Sequence, residues 1–289
     1  MKKNRVIMLI GTAALSACLV VGLTACGSTI DEAKSIRGEE VTEAEWKTAL
    51  SEIATVNTAA SLAASSAADE AESPNFSVSY QARSNATISY EGTDGEQSAT
   101  FSTDITTTVS VADRKIRATM DYDISLTGSD DVIEMLKTLM KTDEDLTVKG
   151  TLETYFAFEE NAVSLYLQNA DGKWVKYSSV EDVTGVSTVV LGQIESCIGL
   201  MDCSKYADAF ASFEYSDEDK GYALKGGVEG GDMFGADASF VIKIKDGRLA
   251  ALVSEGSGET TIGGLSMSSS AETGLVYKFG GQTVNLPNV

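Results

Sequence analysis

The sequence predicts an α+β fold, a long antiparallel meander of strands with helices inserted at its start and middle, the helices covering one face of the sheet. Three stretches carry that prediction. Ile116, Ala118, Met120, Tyr122, Ile124 and Leu126 alternate without a break against Arg117, Thr119, Asp121, Asp123 and Ser125, the period-two pattern of a strand with one apolar and one wet face. Thr42-Glu43-Ala44-Glu45 matches a capping box, and Trp46, Leu50 and Ile53 follow at helical spacing. Ser129 to Lys141 places Val132, Met135, Leu136, Leu139 and Met140 on one broad apolar face of a second helix.

The remaining elements follow from the same two periods. The first helix fades into an Ala/Ser-rich stretch from Thr58 to Ala68, with Pro74 as a stop signal. Phe76, Val78, Tyr80 and Ala82 share one face of the opening strand, and Phe101, Ile105, Val109 and Val111 repeat the pattern. Further strands are expected around 150–158, 162–168, 173–178, 211–216, 221–226, 238–245, 248–254 and 272–279. Asp171-Gly172 and Asp246-Gly247 mark tight hairpin turns. A third helical segment runs from about Glu181 past Val186, Val189, Val190 and Ile194, then on through Tyr206 and Phe210.

The N-terminus reads as an export signal. Lys2, Lys3 and Arg5 form a positive n-region, Val6 to Leu23 is uncharged and mostly apolar, and no acidic residue precedes Asp31. Leu23-Thr24-Ala25-Cys26 resembles the bacterial lipobox, an aliphatic residue and two small ones before the cysteine that receives diacylglycerol. A second such tetrapeptide, Leu15-Ser16-Ala17-Cys18, lies inside the apolar run, and cleavage there would leave Leu19-Val20-Val21 at the new terminus. Val6 to Ala25 is also long enough to span a bilayer uncleaved, since about 20 apolar residues suffice. The lipobox and the polar Gly27-Ser28-Thr29 favour cleavage before Cys26. The organisation expected is therefore a signal peptide over 1–25, a lipidated flexible tether over 26–41, and one domain over 42–289. The partner expected is the outer face of the cytoplasmic membrane, held through the diacylglycerol on Cys26.

Composition narrows the function. Removal of 25 of the 289 residues leaves 264 and takes away Lys2, Lys3 and Arg5, moving the net charge from −21 to −24. A surface so acidic repels phosphate backbones, which argues against nucleic acid as a partner. Histidine is absent, which removes Ser-His and Cys-His nucleophile pairs and the commonest zinc ligand. Of four cysteines two lie in the signal, leaving Cys197 and Cys203, too few for a Cys-rich metal site and expected to pair as a disulfide outside the cytoplasm. Residues six apart sit about 240° around a continuous helix, so that bridge requires a break near Gly199.

No nucleophile elbow, Ser-x-x-Lys pair or phosphate-cradling glycine loop occurs, so no enzyme, metal or cofactor is expected. Asp217-Glu218-Asp219 faintly resembles a calcium loop but lacks a distal bidentate glutamate in register, and reads as a hairpin turn. Trp174 reads as a strand aromatic packed under a helix rather than a binding aromatic.

Several short motifs carry a family resemblance. Val41-Thr42-Glu43-Ala44-Glu45-Trp46 opens the domain, Ala170-Asp171-Gly172-Lys173-Trp174-Val175-Lys176-Tyr177 forms a hairpin, Phe240 to Leu249 ends in Lys245-Asp246-Gly247-Arg248-Leu249, and Val284-Asn285-Leu286-Pro287 closes the chain. Over residues 41–289 the order of elements resembles the LolA/LppX-like lipoprotein-carrier superfamily, closest to lipoproteins of Gram-positive bacteria with this architecture. That resemblance implies a curved, half-open antiparallel sheet, a half-barrel, with helices across its concave face and acyl chains held between. On this expectation Val132, Met135, Leu136, Leu139 and Met140 line a cavity for a lipid, a glycolipid or a lipoprotein acyl chain, where flexible thioethers suit variable chains. The competing expectation is an ordinary filled helix–sheet core in a structural or interaction protein of the cell surface.

Overall fold

The period-two stretches become eleven strands of one antiparallel sheet in the computed structural model, which describes residues 28–56, 75–92, 95–140, 147–159, 162–169, 171–178, 203–225, 237–262 and 265–289. Six strands run outward from the centre: β1 (Phe76–Gly92), β2 (Gly95–Ala112), β3 (Lys115–Gly128), β4 (Val148–Glu159), β5 (Ala162–Gln168) and β6 (Trp174–Tyr177). Five return from the opposite edge: β7 (Glu214–Ser216), β8 (Gly221–Lys225), β9 (Asp237–Lys245), β10 (Arg248–Ile262) and β11 (Leu265–Phe279). The two meanders meet where β1 pairs with β11, Phe76 opposite Phe279. The order is β6-β5-β4-β3-β2-β1-β11-β10-β9-β8-β7, so β6 and β7 are the edges and the sheet is open.

Turn chemistry sets the hairpins. Asp246 and Gly247 both take positive φ (52° and 72°), the left-handed pair that joins β9 to β10 with the twist of the strands. Asp113 and Arg114 do the same between β2 and β3 at φ 49° and 58°, without a glycine. Asn169 organises the turn before β6, its Oδ1 accepting from the backbone N–H groups of Asp171 and Lys173 at 3.0 Å each. Residues 217–220 form the turn between β7 and β8, and Arg37 pairs with Asp217 at 2.5 Å.

One face of the sheet packs on α2 (Glu43–Val56) and may be called the α2 face. The capping box is formed: Thr42 N–H and hydroxyl both donate to Glu45 Oε2 at 2.7 Å, and Glu45 N–H donates to Thr42 Oγ1 at 3.3 Å. Trp46, Leu50 and Ile53 are buried in a core with Phe76, Val78, Val109, Val111, Ile242, Ile244, Leu249 and Leu275. The Trp46 ring meets Phe210, Phe213 and Tyr222 at centroid distances of 5.7, 5.2 and 5.2 Å. Its indole N–H donates to the Tyr206 carbonyl at 2.9 Å, tying α2 to the 3-10 helix Ser204–Ser212. The helical reading through Tyr206 and Phe210 thus becomes this 3-10 helix, while the stretch from Glu181 to Ile194 lies outside the described residues.

The opposite face departs from the expectation in two places. Residues 29–41 are not a free tether. α1 (Thr29–Ser35) lies on β1, β10 and β11, with Ile30 and Ala33 fully buried, and Ala33 in a small core with Ala251, Val253 and Val276. Gly274 makes room for it, since a Cβ there would sit 2.5 Å from the Ile30 Cα. The chain then straps around the sheet toward α2, Gly38 N–H donating to Lys220 O and Glu39 N–H to Ile244 O at 2.8 and 2.7 Å. A polar composition concealed this, because the helix buries only a few small or aliphatic side chains.

Trp174 provides the second departure. It is half-buried and packs edge-on to Tyr155 at 5.3 Å, with Val284 and Leu286 of the C-terminal segment beside it, rather than under a helix. The face read as wet is therefore covered at two patches, by α1 and by the chain after β11.

Candidate functional site

The central strands are longer than the alternation suggested. β1 and β2 continue to Gly92 and Gly95, and β10 and β11 to Ile262 and Leu265, well past the region where α2 touches the sheet. On the α2 face of these extensions the register brings together Ala86, Phe101 and Ser269, then Ile88, Ala99 and Met267. Ala86, Ile88, Phe101, Met267 and Ala271 are all half-buried rather than closed over. Closer to α2, Ile105 and Ile124 are buried with Phe101, Met120, Tyr122 and Val148 packed around them. Tyr122 lies against Gly150, where a Cβ would collide with its phenol ring. Thr107 is buried on the same face, and its hydroxyl has no hydrogen-bond partner among the described residues.

Helix α3 (Asp130–Met140) leaves the sheet at the end of β3 and contacts β2 and β3. Gly128, at φ 147°, makes that exit, because a Cβ there would strike Ser98 O and the Ala99 backbone. Ser129 N–H then donates to Ser98 O at 2.9 Å. Of the five residues assigned to a ligand, Val132 is fully buried, and Met135 and Leu136 are half-buried. The side chains of Leu139 and Met140 lie outside the described residues, as do Cys26 and Cys197. Cys203 is buried at the start of the 3-10 helix.

Ile88, Met267 and Leu265 were not singled out from the sequence. Each stands alone among serines, threonines and glycines, so no apolar run announces it; the period-two spacing of Ile88 from Ala86 and Tyr90 was the available signal.

The α1 face carries the charged networks. Arg83 Nε donates to Asp104 Oδ2 at 2.9 Å, and Gln81 Nε2 to Asp104 Oδ1 at 2.8 Å. Ser28, the N-cap of α1, lies within 3.3 Å of both Gln81 Oε1 and Arg83 Nη2. Lys243 on β9 is buried, and its ammonium donates to the Ala33 and Lys34 carbonyls at 2.8 and 2.9 Å, capping the C-terminal end of α1. Burial first, then repulsion from Lys220 and Lys34, lowers its pKa to about 8, with Asp219 opposing. Among the described residues no group of acidic, Cys or His side chains is arranged to hold a metal ion.

These features define an open antiparallel-sheet protein of the α+β class whose apolar face runs beyond α2. No model of a known family matches the chain, and no curated protein sequence matches it. Among solved structures, the comparison returns the crystal structure of Ail, the attachment invasion locus protein of Yersinia pestis, in complex with the heparin analogue sucrose octasulfate. That match is 5% identical over 71% of this chain and 99% of that one, with a TM-score of 0.15. A likeness so low carries no argument about fold or function.

Proposed function

We propose that this chain is a non-catalytic lipoprotein, anchored by diacylglycerol on Cys26 at the outer face of the cytoplasmic membrane, that binds or carries a hydrophobic ligand such as a lipid, a glycolipid or a lipoprotein acyl chain. The observation that carries the reading is the apolar face of the long strands, which continues past α2 with Ile88, Phe101 and Met267 half-buried. An acyl chain needs such a surface, walled by side chains that give way, and the half-buried Met135 and Leu136 on α3 are of that kind. The open sheet also agrees with the half-barrel of the LolA/LppX-like carriers, in which helices lie across the concave face.

A fluorescent long-chain fatty acid tests the ligand. The delipidated domain is expected to bind it, and Leu136→Trp to abolish uptake while leaving the urea midpoint nearly unchanged. In a filled core the same substitution overpacks the interior and loses about 1–3 kcal/mol, with no uptake in the parent; that outcome favours the structural or interaction protein. For the anchor, Cys26→Ser is expected to leave the precursor unprocessed or move the protein out of the membrane fraction. Lipid labelling that survives Cys26→Ser and disappears in Cys18→Ser reassigns the site.

A further inference from the structure

We propose that the outer edge of β4, from Val148 to Thr154, is a self-association surface through which two copies of this chain pair edge to edge in a symmetric antiparallel dimer. β4 is 12 residues long, but β5 pairs with it only over Tyr155–Glu159. Among the described residues no strand lies along the remainder on that side. The two terminal strands of the sheet, β6 and β7, are only 4 and 3 residues long, short enough to discourage a further strand. The β4 edge is less guarded. It contains no proline, and its register with β3 runs unbroken from Ala157 to Val148. Its side chains stand in solvent: that of Lys149 is 77% exposed, and Leu152 at 39% is one of two large apolar residues exposed among the described residues, the other being the C-terminal Val289.

The backbone fixes which groups this edge offers. Phe158 N–H donates to Arg114 O at 2.9 Å, so the even-numbered residues of β4 turn their backbone groups toward β3. Lys149, Thr151 and Glu153 therefore turn theirs outward, a row of donors and acceptors with no strand beside it among the described residues. An antiparallel copy with Thr151 opposite its own counterpart sets Lys149 opposite Glu153 of the second copy, and the reverse, each pair exchanging both backbone hydrogen bonds. Both side chains lie on the α1 face, where Lys149 already pairs with Asp123 at 2.5 Å and Glu153 with Arg117 at 2.7 Å. The dimer strings these into one row of alternating sign across the seam. Lys149, the kind of residue that guards an edge, is thus answered by an acid. On the α2 face Leu152 of the second copy comes opposite Gly150, beside the Tyr122 phenol that overlies that glycine. The other open stretch, β10 beyond Ser257, carries Glu259 as its one charge, and self-pairing there would bring two carboxylates together without a cation. Because Thr151 falls on the twofold axis, the contact closes at two copies rather than growing into a fibre. Two chains of net charge −21 repel one another and the paired segment is short, so the dimer forms at micromolar concentrations rather than below.

The test follows the full chain, purified in a mild detergent, by sedimentation equilibrium across a concentration series. Lys149→Glu sets like charges face to face and is expected to weaken the dimer at least tenfold, as is Glu153→Lys. Mixing these two variants is expected to restore association, since every cross-strand pair of the mixed dimer again joins opposite signs. Thr151→Pro removes an outward N–H and no bond to β3; it is expected to abolish the dimer with a urea midpoint close to that of the parent. A parent that stays monomeric into the upper micromolar range overturns the proposal. So does a dimer that survives both Lys149→Glu and Thr151→Pro, because association then runs through another surface. Folded Lys149→Glu and Glu153→Lys chains that fail to associate on mixing overturn the pairing of Lys149 with Glu153.

Discussion

The two ends of the long strands are built from different materials. Near α2, β1 contributes Phe76, Val78 and Tyr80 to a core that includes Trp46 and Leu275. Beyond Arg83 the same strand is joined to its neighbour by hydroxyl and amide pairs: Ser84 with Thr103 at 2.8 Å, Thr87 with Thr100 at 2.9 Å, and Ser102 donating to Asn85 at 2.8 Å. Burial of a large side chain contributes about 1.5–3 kcal/mol, while a hydrogen bond that replaces bonds to water contributes about 0.5–1.5. Continuous backbone pairing therefore spans a sheet whose stability is concentrated at one end. The other end keeps its shape through these polar pairs, and its apolar residues Ile88, Phe101 and Met267 remain half-buried.

The largest test of that contrast is Trp46→Ala, which removes the ring joining α2, the 3-10 helix and β8. It is expected to cost about 3–5 kcal/mol in denaturant unfolding; a loss below 1 kcal/mol would place the stable region elsewhere. Next comes Lys243→Met, which strips the Ala33 and Lys34 carbonyls of their donor and is expected to cost about 1–2 kcal/mol. Because the folded pKa lies near 8, below the ordinary 10.5, the unfolded chain holds more protons between those values. Stability of the parent should therefore rise as pH increases from about 8 to 10.5, and this rise should vanish in Lys243→Met. A parent whose stability is flat or falling across that window contradicts the buried ammonium. The smallest effect is expected for Thr87→Ala, within about 0.5 kcal/mol, and a larger loss would mean that the hydroxyl pairs hold the extensions more firmly than argued.

Where side chains alternate strongly, the sequence was legible. The six alternations from Ile116 to Leu126 appear in β3, the Thr42–Glu45 box opens α2, and Asp246-Gly247 turns β9 into β10. The extensions were less so, because single apolar residues such as Ile88 and Met267 alternate with Ser and Thr and share their own face with Ser84 and Ser269, which leaves the period-two contrast thin. α1 escaped for a related reason: it is seven residues long, and its seat depends on Gly274, distant in sequence, leaving space for its backbone. Helix α3 was anticipated with its apolar residues, and Val132 is buried as expected of that face, though no local pattern says what a half-buried Met135 or Leu136 faces.

The seat of α1 has a consequence for the order of events during synthesis. α1 is the first described element to leave the ribosome, yet the residues it rests on, Ala251, Gly274 and Val276, together with Lys243 at its end, belong to strands among the last to be made. As the chain emerges, the meander β1–β6 can pair strand to strand, since each partner is the next segment of chain. α1 has to wait, a short helix with too few residues to persist alone, until β9–β11 arrive and β11 closes against β1. A nascent chain arrested before residue 237 would thus present Ser28 to Ser35 undocked, with the acidic pair Asp31 and Glu32 still free to move. Only the finished chain draws that segment down onto the sheet, so the distance between the start of the domain and its first folded neighbour is set by the last strands translated.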